Sequence, residues 1–92
     1  MKYRITGRQK RNARRIGVTI KPSSVGKKKI AVYKNGKKVA DVGQMPYKDY
    51  DWYLRNRSKR FADSRRESYK KRHQKYRVKK GTASYYADQI LW

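Results

Sequence analysis

The sequence predicts an α+β fold: a small antiparallel β-hairpin or three-stranded sheet followed by two or three helices. Three stretches predict it. Asn35-Gly36 stands between the runs IAVY and KKVADV, and Asn-Gly accepts the positive φ angles of a tight hairpin turn. In residues 58–78, SKRFADSRRESYKKRHQKYRV, the residues Ala62, Tyr69 and Tyr76 recur every seven positions. With Phe61 they form an apolar stripe of helical width. Gly81 interrupts that pattern, and Ala83, Tyr86, Ala87, Ile90 and Leu91 resume it at helical spacing.

Taken in order, residues 1–15 carry Lys2, Arg4, Arg8, Lys10, Arg11, Arg14 and Arg15 and no acid. They read as a basic N-terminal arm, either solvated or serving as an anion-binding arm or nuclear-import tract. Residues 16–92 read as one small domain. IGVTI (16–20) is short and β-branched, and Pro22 ends it. The hairpin covers residues 28–43. A two-residue loop pairs Val32 with Val39 and Tyr33 with Lys38, whereas a three-residue loop with a bulge groups Ile30, Val32, Ala40 and Val42. Gly43 closes the strand. A helix comes next over about 47–57, with Pro46 at its first position and Asp49 and Asp51 in its early turn, where acids favour the helix dipole. Tyr50, Trp52, Tyr53 and Leu54 give it a buried side. Ser58 caps the helix over 58–78. A last helix over 83–92 takes Thr82 or Ser84 as its cap. Ile90 and Leu91 complete the core, and Trp92 points about 100° from Leu91, into the core or toward a partner.

Charge bounds the function. The 92 residues hold 28 Lys and Arg against 6 Asp and Glu, for a net charge of +22. Self-repulsion at that density opposes a compact state, so the chain is expected to work against something anionic. Nine tyrosines and two tryptophans set it apart from a disordered basic tail, since such tails are poor in aromatics. Cysteine is absent, which removes disulfide and thiolate chemistry and most zinc sites. No apolar run is long enough to span a membrane, and MKYRITGRQK lacks the apolar centre of a signal peptide.

Reactive constellations are missing. His73 is the one histidine, and a lone histidine in a basic helix brings no partner for catalysis. Asp49 and Asp51 diverge at i, i+2 on a helix, so they read as helix-start acids rather than a metal pair. Tyr76 beside His73 and Arg72 lacks the further groups that tyrosine-nucleophile chemistry needs. No glycine-rich phosphate loop occurs. The chain therefore reads as a binding protein, not an enzyme.

Candidate anion- and partner-binding residues fall in several clusters. Arg8, Lys10, Arg11, Arg14 and Arg15 lie in the arm, and Lys27, Lys28 and Lys29 precede the hairpin. Lys37 and Lys38 lie at its turn; Arg65, Arg66, Lys70, Lys71 and Arg72 lie on the long helix, and Lys79 and Lys80 precede the last. Tyr47, Tyr50, Trp52 and Trp92 are the candidate interface aromatics. Cations of this kind neutralise phosphates while tyrosines stack on bases. Tyr, Trp and Arg are equally the residues enriched at protein-interface hot spots. Composition fits both partners.

The order VGQMPYKDY (42–50), RRESYKKRH (65–73) and KKGTASYYADQILW (79–92) resembles a family of small basic proteins. These are encoded by large nucleocytoplasmic DNA viruses, notably those of algae. That family shows a strand ending in glycine, a Tyr-x-Asp-Tyr segment, an arginine-rich helix closing on Tyr-x-x-Arg-His, and an end like Leu-Leu-Trp. The matching positions are Gly43, Tyr47, Asp49, Tyr50, Tyr69, Arg72, His73, Ile90, Leu91 and Trp92. Met45-Pro46 stands where relatives often have a second glycine, and residues 1–25 lie outside the resemblance. The resemblance implies no cofactor and no catalytic residue. It implies a viral protein made in the host cytoplasm or nucleus and located in the virion. The expected role is that of a minor capsid protein bridging acidic subunits, the major capsid protein among them, through a basic, Tyr/Trp-rich surface. The alternative is a DNA-binding or genome-packaging protein without sequence preference.

Overall fold

A computed structural model describes residues 3–45 and 47–92. Helix α1 (Gly7–Arg15) precedes a three-stranded antiparallel sheet of β1 (Thr19–Pro22), β2 (Lys28–Lys34) and β3 (Lys37–Gln44), in the order β1-β2-β3. Helices α2 (Tyr50–Asn56), α3 (Lys59–Arg72), α4 (Gln74–Arg77) and α5 (Ala83–Leu91) complete the chain. The α+β architecture is the expected one, with one helix more at the front.

That helix corrects the reading of residues 1–15 as an arm; Met1 and Lys2 lie outside the described residues. Thr6 accepts from the Gln9 amide, and the Gln9 side chain accepts from the Thr6 amide. This reciprocal cap satisfies two amides that a helix start leaves unpaired. Gln9 and Ala13, one turn apart, are buried, and α1 packs on α5 and β1. Ile16 ends the helix and Gly17 turns left-handed at φ 77°. The first strand therefore starts at Thr19 rather than Ile16. Pro22 closes it on the sheet edge, where a missing N–H is tolerated.

The hairpin combines the two registers. Tyr33 faces Lys38 and Lys34 faces Lys37, so Asn35-Gly36 is a two-residue loop. One residue later the register shifts: Val32 faces Ala40 and Ile30 faces Val42. Val39 is the extra residue of a β-bulge, which bends the strand and re-aims the side chains beyond it. The bulge leaves Val39 exposed and puts Ile30, Val32 and Val42 in the core with Ala40 against it. Ala13, Val18, Tyr86, Ile90 and Leu91 complete that core. Ile30, Val32 and Ile90 are fully enclosed, and each contributes about 1.5–3 kcal/mol by burial.

The helical half departs from expectation in two places. Asp49 caps the start of α2, its side chain accepting from the Trp52 amide; the expectation placed on Pro46 lies outside the described residues. The helix expected over 58–78, capped by Ser58 as expected, breaks at His73 into α3 and α4. Ala62 is buried and Tyr69 half-buried, but Tyr76 beyond the break is exposed. Thr82 caps α5. No helix among the described residues is long and apolar enough to cross a membrane. The Cα radius of gyration is 12.5 Å, close to the roughly 12 Å of a compact chain of this length, in spite of the charge.

Candidate functional site

Compactness at +22 has a local explanation. All six acids are in ion pairs within the chain, Asp49, Asp51 and Asp88 buried and Asp41, Asp63 and Glu67 nearer the surface. Asp51 takes Arg8 through both carboxylate oxygens at 2.9 Å, the bidentate geometry that makes such pairs strong. Asp49 takes Lys29 at 3.0 Å with both side chains buried, and the Tyr3 hydroxyl donates to the same oxygen. Burial and this carboxylate push the Tyr3 hydroxyl well above its ordinary pKa. Asp88, buried in α5, takes Lys70 and Arg77. Asp63 accepts from Lys59 and from the Tyr50 hydroxyl. The Ser23 hydroxyl, then Lys38, hold the Asp41 carboxyl below the usual carboxylate range.

The aromatic rings do a second part of the same work. Arg66 lies 3.7 Å and Arg8 4.7 Å from the Tyr50 ring centre, Arg57 4.2 Å from Phe61 and Lys48 4.7 Å from Trp52. Cation–π contacts of this kind are worth about 0.5–2 kcal/mol. They hold cations against negative ring faces where carboxylates are too few. Trp92 stacks on Tyr69 at 4.6 Å, and His73 stacks on the other face at 4.3 Å. Burial, with Asp88 nearby, raises the Tyr69 hydroxyl to about 12.

These contacts correct several assignments. Arg8, Lys29, Arg66 and Lys70 are not outward anion binders: they hold Asp51, Asp49, the main-chain oxygen of Trp92 and Asp88. Tyr50 is buried with two arginines over its ring, and Trp92 lies against α3, so neither is an exposed interface aromatic. Trp52 is half-buried; Tyr47, at 72% exposure, stands open. Lys38 and Lys71 pair at the surface with Asp41 and Glu67. Lys10, Arg11 and Arg14 line the outer side of α1, Lys27 lies in the loop before β2, Lys37 begins β3, and Lys79 precedes α5, all exposed. Arg15 and Lys80 meet Lys34 and Tyr85 around a depression of about 490 Å³.

One cleft gathers the rest. Its volume is about 450 Å³, and it opens between the Lys28 and Gly43 ends of β2 and β3, the loop before α2, and one side of α3 and α5. Lys28, Lys48, Arg65 and Arg72 line it, together with Tyr47, Tyr53, Tyr69, His73 and Trp92. Arg65, Tyr69 and Arg72 fall at i, i+4 and i+7, so α3 presents them on one side. Gly43 is the close-approach point beneath: at φ 77°, an added Cβ would lie 2.8 Å from Leu91 Cδ1 and 2.9 Å from Lys29 Cδ. Only glycine combines that backbone with that proximity. Asp49 reaches the lining too, but its oxygens are taken by Lys29, Tyr3 and the Trp52 amide. Lys28, Lys48, Arg65 and Arg72 have no carboxylate partner among the described residues.

Of the residues assigned from sequence, the cleft unites Lys28, Lys29, Arg65, Arg72, Tyr47 and Trp92. Sequence reasoning missed Lys48, Tyr53, Tyr69 and His73 as lining. The Arg65-Tyr69-Arg72 spacing was the signal for the helical side; nothing local signals Lys48. Among the described residues no group of His, Cys, Asp or Glu is arranged to hold a metal ion. Comparison with protein-family models, curated proteins and solved structures finds no match to the chain.

Proposed function

We propose that this chain binds nucleic acid without reading its sequence, as a packaging or structural component of a virion. The observation that carries the proposal is that all six acids pair with cations of the same chain, three of them buried. With each carboxylate paired, most of the remaining lysines and arginines face outward with little unpaired negative charge among them. A phosphate backbone neutralises such a surface and releases its own counterions. Phosphate contacts position a protein but carry no sequence information. The virion placement comes from the resemblance of residues 42–50, 65–73 and 79–92. Fluorescence anisotropy with several unrelated duplexes of equal length tests the reading. Equal affinities support it; a strong preference for one sequence, or no binding to any, refutes it.

A second reading, a capsid protein bridging acidic subunits, is favoured by one patch. Tyr47, Lys48, Trp52 and Arg55 line a shallow depression of about 260 Å³, a Tyr/Trp/cation set of the kind found at interface hot spots. It predicts stoichiometric amounts of the chain in washed, nuclease-treated particles by mass spectrometry. Absence there refutes it.

A further inference from the structure

We infer that the cleft between the sheet and α3 takes one unpaired nucleotide of a single strand, with its phosphate at Arg65 and Arg72 and its base on Tyr47. This inference rests on the nucleic-acid reading above and narrows it to a strand type and a place.

Three features select this ligand. The first is size: about 450 Å³ lies within the roughly 300–1,000 Å³ of small-molecule sites. A duplex cannot enter such a cleft, whereas one extruded nucleotide can. The second is charge. Arg65 and Arg72 are exposed, share one side of α3 and lack a carboxylate partner among the described residues. Arginine forks match phosphate oxygens, and Lys28 and Lys48 add positive charge from the opposite wall. The third is the free aromatic surface. Tyr50, Phe61 and Trp52 have cations over their rings, and Tyr69 lies between His73 and Trp92. Tyr47 is 72% exposed and has no cation or ring over it among the described residues. Its ring is therefore the open stacking surface at the cleft mouth. A lipid headgroup or free phosphate would use the arginines and leave the ring unused.

The site separates from the general charge by experiment. Calorimetric titration compares deoxyadenosine monophosphate, deoxyadenosine and deoxyribose 5-phosphate. The nucleotide should bind about 5- to 150-fold more tightly than the sugar phosphate, the range a stacked base supplies. Tyr47→Ala should remove that advantage, and Arg65→Gln/Arg72→Gln should weaken the nucleotide at least as much. All three positions are exposed, so the fold should survive. A matched loss of two charges on α1, Lys10→Gln/Arg14→Gln, should leave nucleotide binding unchanged while lowering affinity for long strands. Oligo(dA) should outcompete a duplex of equal length for the wild type, but not for Tyr47→Ala. Equal binding of nucleotide and sugar phosphate, or no effect of the cleft variants, overturns the inference. If strands still bind in that case, the general reading stands alone; if no strand binds at all, both readings fall.

Discussion

Replacing Asp49 with Asn removes one charge and changes little in shape. Asn is as good a helix cap as Asp, so the bond from the Trp52 amide to the side chain survives. What goes is the partner of Lys29. Asp49 is 2% and Lys29 5% exposed, with their charged atoms 3.0 Å apart. Among the described residues Lys29 keeps only the Tyr47 carbonyl and the Tyr3 ring. An ammonium left buried without its counter-charge costs about 3–5 kcal/mol, against a total stability of about 5–15 kcal/mol for ordinary domains. Asp49→Ala should cost about 1 kcal/mol more, because it removes the cap as well. Adding Lys29→Met to Asp49→Asn should recover most of the loss, since it removes the stranded charge. Urea unfolding followed by circular dichroism reads all four proteins. With m of about 1–3 kcal/mol per molar, Asp49→Asn should lower the midpoint by more than about 1 M. Salt screens buried pairs little, so the loss should persist in ~0.5 M salt. A loss under about 1 kcal/mol, or no recovery in the double variant, refutes the reasoning.

Other outcomes rest on the same set of contacts. Gly43→Ala forces a side chain into positive φ, about 1–2 kcal/mol by itself, and pushes against Leu91 and Lys29. Calorimetry should show Tm lower by roughly 5–15 °C, and an unchanged Tm contradicts the close approach. Ser23→Ala removes the largest influence holding the Asp41 carboxyl down, so nuclear magnetic resonance should show its titration moving up toward about 3.9. Because the folded-state pKa is the lower one, the pair stabilises above the unfolded value and loses its effect as pH falls through the folded value. The Ser23→Ala penalty should therefore be present at neutral pH and vanish in strong acid. A penalty independent of pH contradicts this.

What could be read from the sequence was local. Asn35-Gly36 announced the hairpin, and each of its two candidate registers held half of the answer. Only packing decided that Val39 bulges, because the core needs Ile30, Val32 and Val42 together while the turn needs Tyr33 opposite Lys38. The front helix was legible in Thr6-x-x-Gln9, but the basic residues around it pointed to an arm. Asp49 and Asp51 were read as helix-start acids, which they are. Their partners Lys29, Tyr3 and Arg8 lie 20, 46 and 43 positions away, a distance no local pattern spans. The break at His73 was hidden for a similar reason. His73 caps the end of α3 and stacks on Tyr69, while Arg77 turns back to the Lys70 carbonyl and Asp88. The closing Ile90 and Leu91 belong to the core as expected. Trp92 joins them at the edge through Tyr69 rather than standing free for a partner.

The central claim is that pairing of every acid within the chain leaves an outward cationic surface for phosphate. The dependence of nucleic-acid affinity on salt tests it most directly. For duplex DNA, log K falls with log salt at a slope of about −0.9 per phosphate neutralised. A surface contacting six to ten phosphates should lose about 10³–10⁵-fold in affinity between roughly 50 and 200 mM salt. A steep, linear fall within that range is the predicted result. Affinity that is flat with salt, or absent even at low salt, contradicts the account.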